Sequence, residues 1–368
     1  MRPIRRPIRA VLFDWGGTLM REVGGLDGPI AEWPPIEAIP GAKETLRALH
    51  DHYALAVATN ARLSDESHVR KALARAELDR YFALVVTARD LGVAKPDPAF
   101  FRSALDRLGF APGEAVMIGD SYEVDIVGAK AAGLRAIWFN PAGVRCPTVH
   151  PGHDAEIQAI DEIPAVLERR WLPDIAVALK ILRTHEVPPN IVRHSLTVAA
   201  VAHHFAVRLR EQKIAVEPVL VHRSGLLHDL DKLSSERPAE HGMKAGRVLR
   251  ALGQPALAGI AERHVLGAVP VTWEEKLVHY ADKIVEDDRV AGLTERLNSL
   301  AQRYPAEADR VSQALPFLLG LEKEILSKLP APRGAIMAEL RRLDLSLPSF
   351  VIAGDPACDS SRERRDGR

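Results

Sequence analysis

Between residues 194 and 282 the chain sets histidines and aspartates on stripes that a helix reserves for its core, so the fold must bring those helices together around polar groups. Positions three, four, seven and eight apart share one helix face. On that spacing His194 lies with Val198, Val201 and Phe205, His228 follows Val221, His264 follows Leu257 and Ile260, and Asp282 lies between Val278 and Val285. A single inward histidine is ordinarily a satisfied core residue. The His228-Asp229 pair followed by Lys232, with His194 ahead and Asp282 behind, is a joint pattern, and Asp229 and Asp282 in apolar surroundings need a compensating cation. Mixed imidazole and carboxylate ligands without thiolate suit Mn2+, Fe2+, Co2+, Ni2+ or Zn2+. With Asp229 as a bridge and His241 included, the six groups can hold two ions about 3.5–4 Å apart, which is the spacing that clamps attacking and leaving oxygens in phosphoester hydrolysis.

The order His194, His228-Asp229, His241, His264, Asp282 resembles the HD superfamily of phosphohydrolases, and Leu226-Leu227-His228-Asp229-Leu230-Asp231-Lys232 is similar to its LLHDIGK run. The resemblance covers roughly residues 172–290. It implies His194, His228, Asp229 and Asp282 as ligands of a first ion, His241 and His264 as the extra pair of dinuclear members, and Lys232 as a phosphate contact. One departure is Asp231, where many members carry Gly, and it bears on the local turn. His203, His204, His222 and His279 have no matched role and are expected to be packing or surface residues.

Residues 8–140 have a different rhythm. Short apolar runs at Ile8–Phe13, Ala54–Ala58, Ala83–Thr87, Ala115–Ile118 and Arg135–Phe139 are separated by amphipathic stretches at Ala42–Leu49, Asp65–Leu78, Ala99–Leu108 and Val124–Ala132. That alternation predicts an α/β, Rossmann-like, doubly wound parallel sheet with ligands at the carboxyl ends of its strands. The polar residues there are Asp14, Thr59, Lys95, Asp120 and Asp125. They form a coherent chemical set: a carboxylate able to attack phosphorus, a hydroxyl and an ammonium for phosphoryl oxygens, and two further carboxylates for Mg2+.

In this order the set resembles the haloacid dehalogenase superfamily over residues 8–168. The resemblance implies Asp14 as nucleophile, Thr59 and Lys95 as phosphoryl contacts, and Asp120, Asp125, Asp14 and the Gly16 backbone around Mg2+. Phosphatases of that family carry an Asp two residues after the nucleophile as general acid/base, and here the position is Gly16. Such proton transfer contributes about 10²–10⁴-fold, so its loss is compatible with a slow phosphatase, a relic site or another chemistry of the superfamily. The Asp14–Thr59 interval is too short for a full helical cap. Met20–Ile39, rich in Gly and Pro, reads as a loop or flap.

A chain of 368 residues with 47% hydrophobic content can bury two cores. We expect a haloacid dehalogenase-like domain with a minimal cap over 1–170, an all-α HD-type domain over 171–348, with Leu293, Leu297, Leu300, Leu315, Leu318, Leu319 and Leu321 in its core, and a disordered tail over 349–368. Lys and Arg number 49 against 49 Asp and Glu, so no global field argues for nucleic acid. The basic segment Met1–Arg9 reads as a short solvated arm. No apolar run approaches the roughly 18–20 residues that cross a membrane, and Asp14 interrupts the first apolar stretch, which argues against a signal peptide. Cys146 and Cys358 stand alone, compatible with a reducing cytosol, so a soluble cytoplasmic protein is expected. The leading functional expectation is a phosphohydrolase acting on a small phosphorylated metabolite or nucleotide. In it the helical half cleaves a nucleotide or dinucleotide phosphoester or anhydride with metal-activated water. The alternatives are an enzyme whose main phosphatase is the N-terminal half, and a nucleotide- or metal-binding sensor with little turnover. Substrate-selecting loops such as Glu236–Glu240 carry no recognisable motif.

Overall fold

The computed structural model describes residues 7–21, 28–34, 37–232 and 241–352. The Met1–Arg9 arm lies largely outside these residues, and Glu236–Glu240 lies wholly outside them. The chain divides into two compact units, one running up to Pro147 with Gly152–Trp171 and the residues from Pro348 on, the other comprising Thr148–Pro151 and Leu172–Leu347.

The first unit runs β1 (Ala10–Phe13), α1 (Ala42–Leu49), β2 (Ala54–Thr59), α2 (Glu66–Arg75), β3 (Leu84–Thr87), α3 (Ala88–Leu91), α4 (Pro98–Leu108), β4 (Ala115–Gly119), α5 (Gly128–Ala131), β5 (Arg135–Phe139), β6 (Ala155–Ile157) and α6 (Ile163–Glu168). The strands form one sheet in the order β3-β2-β1-β4-β5-β6, every pairing parallel. Strand side chains alternate between faces, and both faces are apolar because helices cover both. Val11 and Phe13 pack with Leu46 of α1 and Val69 of α2, whereas Ala10 and Leu12 pack with Phe100 and Phe101 of α4. Asp65 caps α2 by accepting from the His68 N–H, and Asp97 caps α4 with Pro98 in the first turn.

Three local expectations are corrected or narrowed here. The helix expected over Val124–Ala132 begins earlier, as a wide π-helical turn over Tyr122–Val127 that continues into α5. Of the loop or flap expected over Met20–Ile39, the described part is a docked loop with one 3-10 turn at Ile30–Glu32: Ile30 is buried, its N–H donates to Ser64 Oγ at 2.8 Å, and Arg75 donates to the Trp33 carbonyl at 2.7 Å. Residues 349–352, read as part of the tail, form α7 (Ser349–Ile352) of the first unit's terminal segment, with Val351 buried, and 353–368 lie outside the described residues.

The second unit comprises α8 (Ile175–Thr184), α9 (Pro189–Glu211), α10 (Pro218–Leu227), α11 (Met243–Ala251), α12 (Pro255–Arg263), α13 (Trp273–Ile284), the strands β7 (Val285–Glu286) and β8 (Arg289–Val290), then α14 (Leu293–Arg303), α15 (Ala308–Ser327) and α16 (Arg333–Leu340). Val198, Val201 and Phe205 of α9 meet Leu277, Tyr280 and Ala281 of α13 in its core. Leu293, Leu297, Leu318 and Leu321 are buried as expected, and Leu300 and Leu315 pack at the edge. Leu319 is instead 45% exposed. One residue turns a helix by about 100°, so the inward stripe through Leu318 and Leu321 leaves Leu319 facing out. The unit is also not purely helical, because β7 and β8 form a two-stranded antiparallel ribbon. Its turn holds Asp287 at φ 53°.

Candidate functional site

In the first unit, β1 pairs with β2 on one side and β4 on the other, so the strand order reverses beside Asp14 and the loops leaving β1 and β4 open a crevice at the sheet's carboxyl edge. The Asp14 N–H donates to the Ile118 carbonyl at 2.9 Å, which ties the loop to β4. Lys95 Nζ donates to Asp14 Oδ1 and to Asp125 Oδ1, both at 2.6 Å. Asn60, unassigned above, grips Lys95 at both backbone groups: Lys95 N–H donates to Asn60 Oδ1 at 2.8 Å and Asn60 Nδ2 donates to the Lys95 carbonyl at 2.9 Å. Thr18 Oγ1 donates to Asp120 Oδ1 at 3.0 Å, and the Ser121 N–H donates to Asp125 Oδ2 at 3.1 Å. Thr59 ends β2, buried, its hydroxyl accepting from the Ala61 N–H at 3.3 Å.

Oxygens of Asp14, Asp120 and Asp125 lie within 4.8 Å of one another. Burial, opposed by Lys95 and reinforced by Asp14 and Asp120, pushes the Asp125 carboxyl up to about 7. Burial works against a charge on Lys95 as well, yet the two carboxylates raise it above the ordinary lysine value. Three converging carboxylates fit a hard divalent cation with oxygen ligands, which would relieve that repulsion. Gly16 follows Asp14 in the same loop and pairs with Met20 in an isolated bridge. A Cβ at Gly16 would meet no atom within 4 Å, whereas one at Gly17, where φ is +77°, would stand 2.5 Å from Asp120 Oδ2. Gly17 is therefore required by close approach, and Gly16 is not.

In the second unit the six expected ligands converge, although only His194 in α9 and Asp282 in α13 lie inside helices. His228 and His264 stand at the C-terminal ends of α10 and α12, Asp229 follows His228, and His241 precedes α11. The expectation that each sits on a helical stripe is corrected accordingly. Helix ends suit the purpose because their last carbonyls lack intrahelical donors. His228 Nδ1 is 2.7 Å from the Gly225 carbonyl and His264 Nδ1 is 2.6 Å from the Ala261 carbonyl. His194 Nδ1 is 3.0 Å from the Asp287 carbonyl in the ribbon turn, and His241 Nδ1 is 2.8 Å from Asp231 Oδ1.

A carbonyl or carboxylate can only accept, so each Nδ1 is placed to donate, and each ring turns its Nε2 toward the same space. Around that space, His194 Nε2 lies 3.0 Å and His228 Nε2 3.6 Å from Asp282 Oδ1. His241 Nε2 lies 3.0 Å and His264 Nε2 3.4 Å from Asp229 Oδ1, and the two Nε2 atoms are 3.1 Å apart. His228 Nε2 is 3.5 Å from Asp229 Oδ2, linking the two groups. Ligands about 2.0–2.2 Å from one ion stand roughly 3.0–3.5 Å from each other, so these separations fit a coordination shell. The approach of the His241 and His264 Nε2 atoms needs a proton or a metal ion between them. His228 Nε2 and Asp229 Oδ1 are buried without a hydrogen bond of acceptable geometry, as a metal ligand would be.

The electrostatics agree. Burial alone would raise Asp229, but Lys232, His228 and the adjacent His241 and His264 rings hold it well below the ordinary carboxylate value. Burial likewise opposes the charge on Asp282, which Lys283, His194 and His228 keep well below that value. Burial pushes His264 down to about 3. Burial would lower His241, but the carboxylates of Asp229 and Asp231 on either side of its ring raise it to about 9. Lys232 Nζ, at the site's edge, donates to Asp229 Oδ2 at 2.7 Å. Two polar residues unassigned above also meet the site. Lys283 donates to Asp282 and to the His264 carbonyl, and Asp231 binds His241. His222 and His279 are buried packing residues: His222 Nε2 meets His150 Nδ1 at 2.9 Å and His279 Nδ1 meets the Arg263 carbonyl at 2.9 Å. Among the described residues no helix is long and apolar enough to cross a membrane.

Two family models match the chain, one in each unit. The family model of haloacid dehalogenase-like hydrolases matches residues 21–133, and that of the HD domain matches residues 191–287. The chain is 38% identical over 94 residues to a phosphoserine phosphatase from Thermus thermophilus, covering 26% of this chain and 37% of that one. It is 40% identical over 105 residues to a ribulose-1,5-bisphosphate 5-phosphatase from Halopiger xanaduensis, covering 28% and 43%. The chain thus spans less than half the length of these curated relatives. An uncharacterized protein of solved structure from Listeria monocytogenes serotype 4b shares 28% identity with a TM-score of 0.40, over 44% of this chain and 97% of that one.

Proposed function

Because the chain joins a haloacid dehalogenase-like hydrolase domain to an HD domain, we propose that it is a metal-dependent phosphohydrolase with two separate centres. The helical centre hydrolyses a nucleotide or dinucleotide phosphoester or anhydride, and the centre at Asp14 is a Mg2+-dependent phosphatase. The main support for the first is that four imidazoles, each with Nδ1 engaged by a carbonyl or carboxylate, aim Nε2 at the buried Asp229 and Asp282. His194, His228 and Asp282 would hold one divalent ion, His241, His264 and Asp229 a second, with Mn2+ and Fe2+ the leading candidates among borderline metals. Bound there, such ions supply charge neutralisation at phosphorus and acidify a water. The protein's own residues do the rest. The backbone carbonyls and Asp231 fix the rings, the surrounding core excludes bulk water, and Lys232 swings from Asp229 to a phosphoryl oxygen.

A second reading, that phosphatase activity resides mainly in the first unit, is favoured by the contact between Asp14, Lys95 and Asp125. Asp14 Oδ attacks phosphorus, the P–O bond to the leaving group breaks, and Lys95 and Thr59 hold the phosphoryl oxygens. Water then cleaves the aspartyl phosphate, returning Asp14 and releasing inorganic phosphate. With Gly16 in place of a carboxylic acid, the departing oxygen takes its proton from solvent, which favours leaving groups stable as anions. The protein, supplied in turn with Mn2+, Fe2+ and Mg2+, is to be assayed for phosphate release from a nucleotide and sugar-phosphate panel as wild type, His228→Ala and Asp14→Asn. Nucleotide hydrolysis is expected to vanish in His228→Ala and persist in Asp14→Asn; persistence in His228→Ala would refute the assignment to the helical centre.

A further inference from the structure

The run His228-Asp229-Leu230-Asp231-Lys232 departs from the pattern it resembles at Asp231, and the structure puts that carboxylate to use. Asp231 is buried and both its oxygens are engaged ten or more residues downstream. Oδ1 lies 2.8 Å from His241 Nδ1. Oδ2 accepts the N–H groups of Gly242 and Ala245 at 2.9 and 3.0 Å, which ties down the start of α11. Gly242 reinforces the same placement: its φ is +81°, and a Cβ there would stand 2.6 Å from the Ala261 carbonyl, so the backbone beside His241 packs directly against the last turn of α12. The other three imidazoles of the centre take their Nδ1 partner from backbone carbonyls, which no substitution removes. His241 alone among the four depends on a side chain for it.

We infer that Asp231 is a positioning residue that selects the Nδ1–H tautomer of His241 and so presents its Nε2 as a metal ligand beside His264 and Asp229. The inference rests on the metal-centre reading above. Carboxylate partners of ligating histidines orient the ring and raise its basicity, and their loss typically weakens metal binding by about 10–100-fold. Asp231→Asn separates positioning from mere helix capping. An Asn oxygen in the place of Oδ2 keeps the bonds from Gly242 and Ala245, while its NH2 group then faces His241 Nδ1 as a donor. The ring must respond by accepting at Nδ1 and carrying its proton on Nε2, where it can no longer ligate.

The test is titration calorimetry of Mn2+ into full-length, metal-stripped protein, with circular dichroism as a folding control, for wild type, Asp231→Asn, His241→Ala and the double variant. Asp231→Asn is expected to weaken uptake of one of the two ions of the helical centre by about 10–100-fold and to leave the other, and uptake at the Asp14 centre, unchanged. In the His241→Ala background the same substitution should add nothing. Unchanged uptake, equal weakening of both ions, or a further loss in the double variant would each overturn the inference while leaving the metal centre standing. If Asp231→Asn fails to fold, Asp231→Ser, which keeps an acceptor for the helix start but cannot reach His241, takes its place with the same expectations. Wild type that takes up no Mn2+, Fe2+, Co2+ or Zn2+ would overturn both readings together.

Discussion

Gly16→Asp tests directly what the first unit lacks. Position 16 lies two residues after Asp14, its φ falls outside the left-handed region, and a Cβ there meets no atom within 4 Å, so neither backbone strain nor a clash at Cβ opposes an Asp. The substitution should change folding stability by no more than about 0.5 kcal/mol, as for other unstrained and partly exposed sites. A carboxylic acid that protonates the leaving oxygen and later deprotonates the attacking water is worth about 10²–10⁴-fold, or about 2.7–5.4 kcal/mol of barrier. The gain should depend on the leaving group. Alkyl phosphates, whose alkoxide must be protonated as it departs, should show most of it, and p-nitrophenyl phosphate, whose phenolate leaves unaided, should show little. The assay is steady-state phosphate release with Mg2+, comparing wild type, Gly16→Asp and Gly16→Asp with Asp14→Asn on both substrates. A folded Gly16→Asp protein with an alkyl phosphate rate within about threefold of wild type would refute the idea that general acid catalysis is what this centre is missing. So would an equal gain on both substrates.

Other outcomes follow from buried charge. Lys95→Met leaves Asp14 and Asp125 without the ammonium they share, and should destabilise the first unit by about 3–5 kcal/mol in urea denaturation, with the loss shrinking as Mg2+ is added. Stripping metal from the second unit leaves facing lone pairs and carboxylates; if ions are normally present at about a thousand times their dissociation constant, removal costs about 4 kcal/mol, read as a lower melting temperature that Mn2+ but not Na+ restores. His150, which burial and then Arg223 push down to about 4, stays neutral in the folded state and takes a proton near its ordinary value once unfolded. The unfolded chain therefore binds more protons below about pH 6.5, and stability falls as pH drops from there toward 4. His150's share of that loss between pH 7 and 5 should be about 2 kcal/mol, and His150→Asn should reduce the slope by that share.

The parallel sheet was legible because apolar runs of strand length alternate with amphipathic helices, and a strand covered on both faces leaves no polar alternation to mislead. What periodicity could not reveal lies in short connections. The π-helical turn at Tyr122–Val127 carries the side chains of an ordinary helix, and Asp125 within it accepts from the Ser121 N–H in the loop after β4. The two-residue strands at Val285 and Arg289 are too brief to stand out beside α13. Even so, that ribbon matters, because its turn supplies the carbonyl that orients His194.

The helical centre was legible for a reason only half captured by helical spacing. The spacing correctly marks these groups as inward, yet it is the ends of α10 and α12 that let His228 and His264 be used, since a mid-helix carbonyl already has its own N–H partner and a terminal one is free to fix an imidazole. A His-Asp pair closing a helix thus supplies the ring, its anchor and the neighbouring carboxylate within a few residues, which is why so short a run is informative. His241 precedes its helix, and its ring nitrogen is met by a side chain from elsewhere in the chain. No periodic pattern announces that partner. Its trace in the sequence is an acid at the one position of the His-Asp run where the resemblance leads one to expect glycine, and the contact between Asp231 and His241 turns that departure from a doubt about the turn into a requirement of the site.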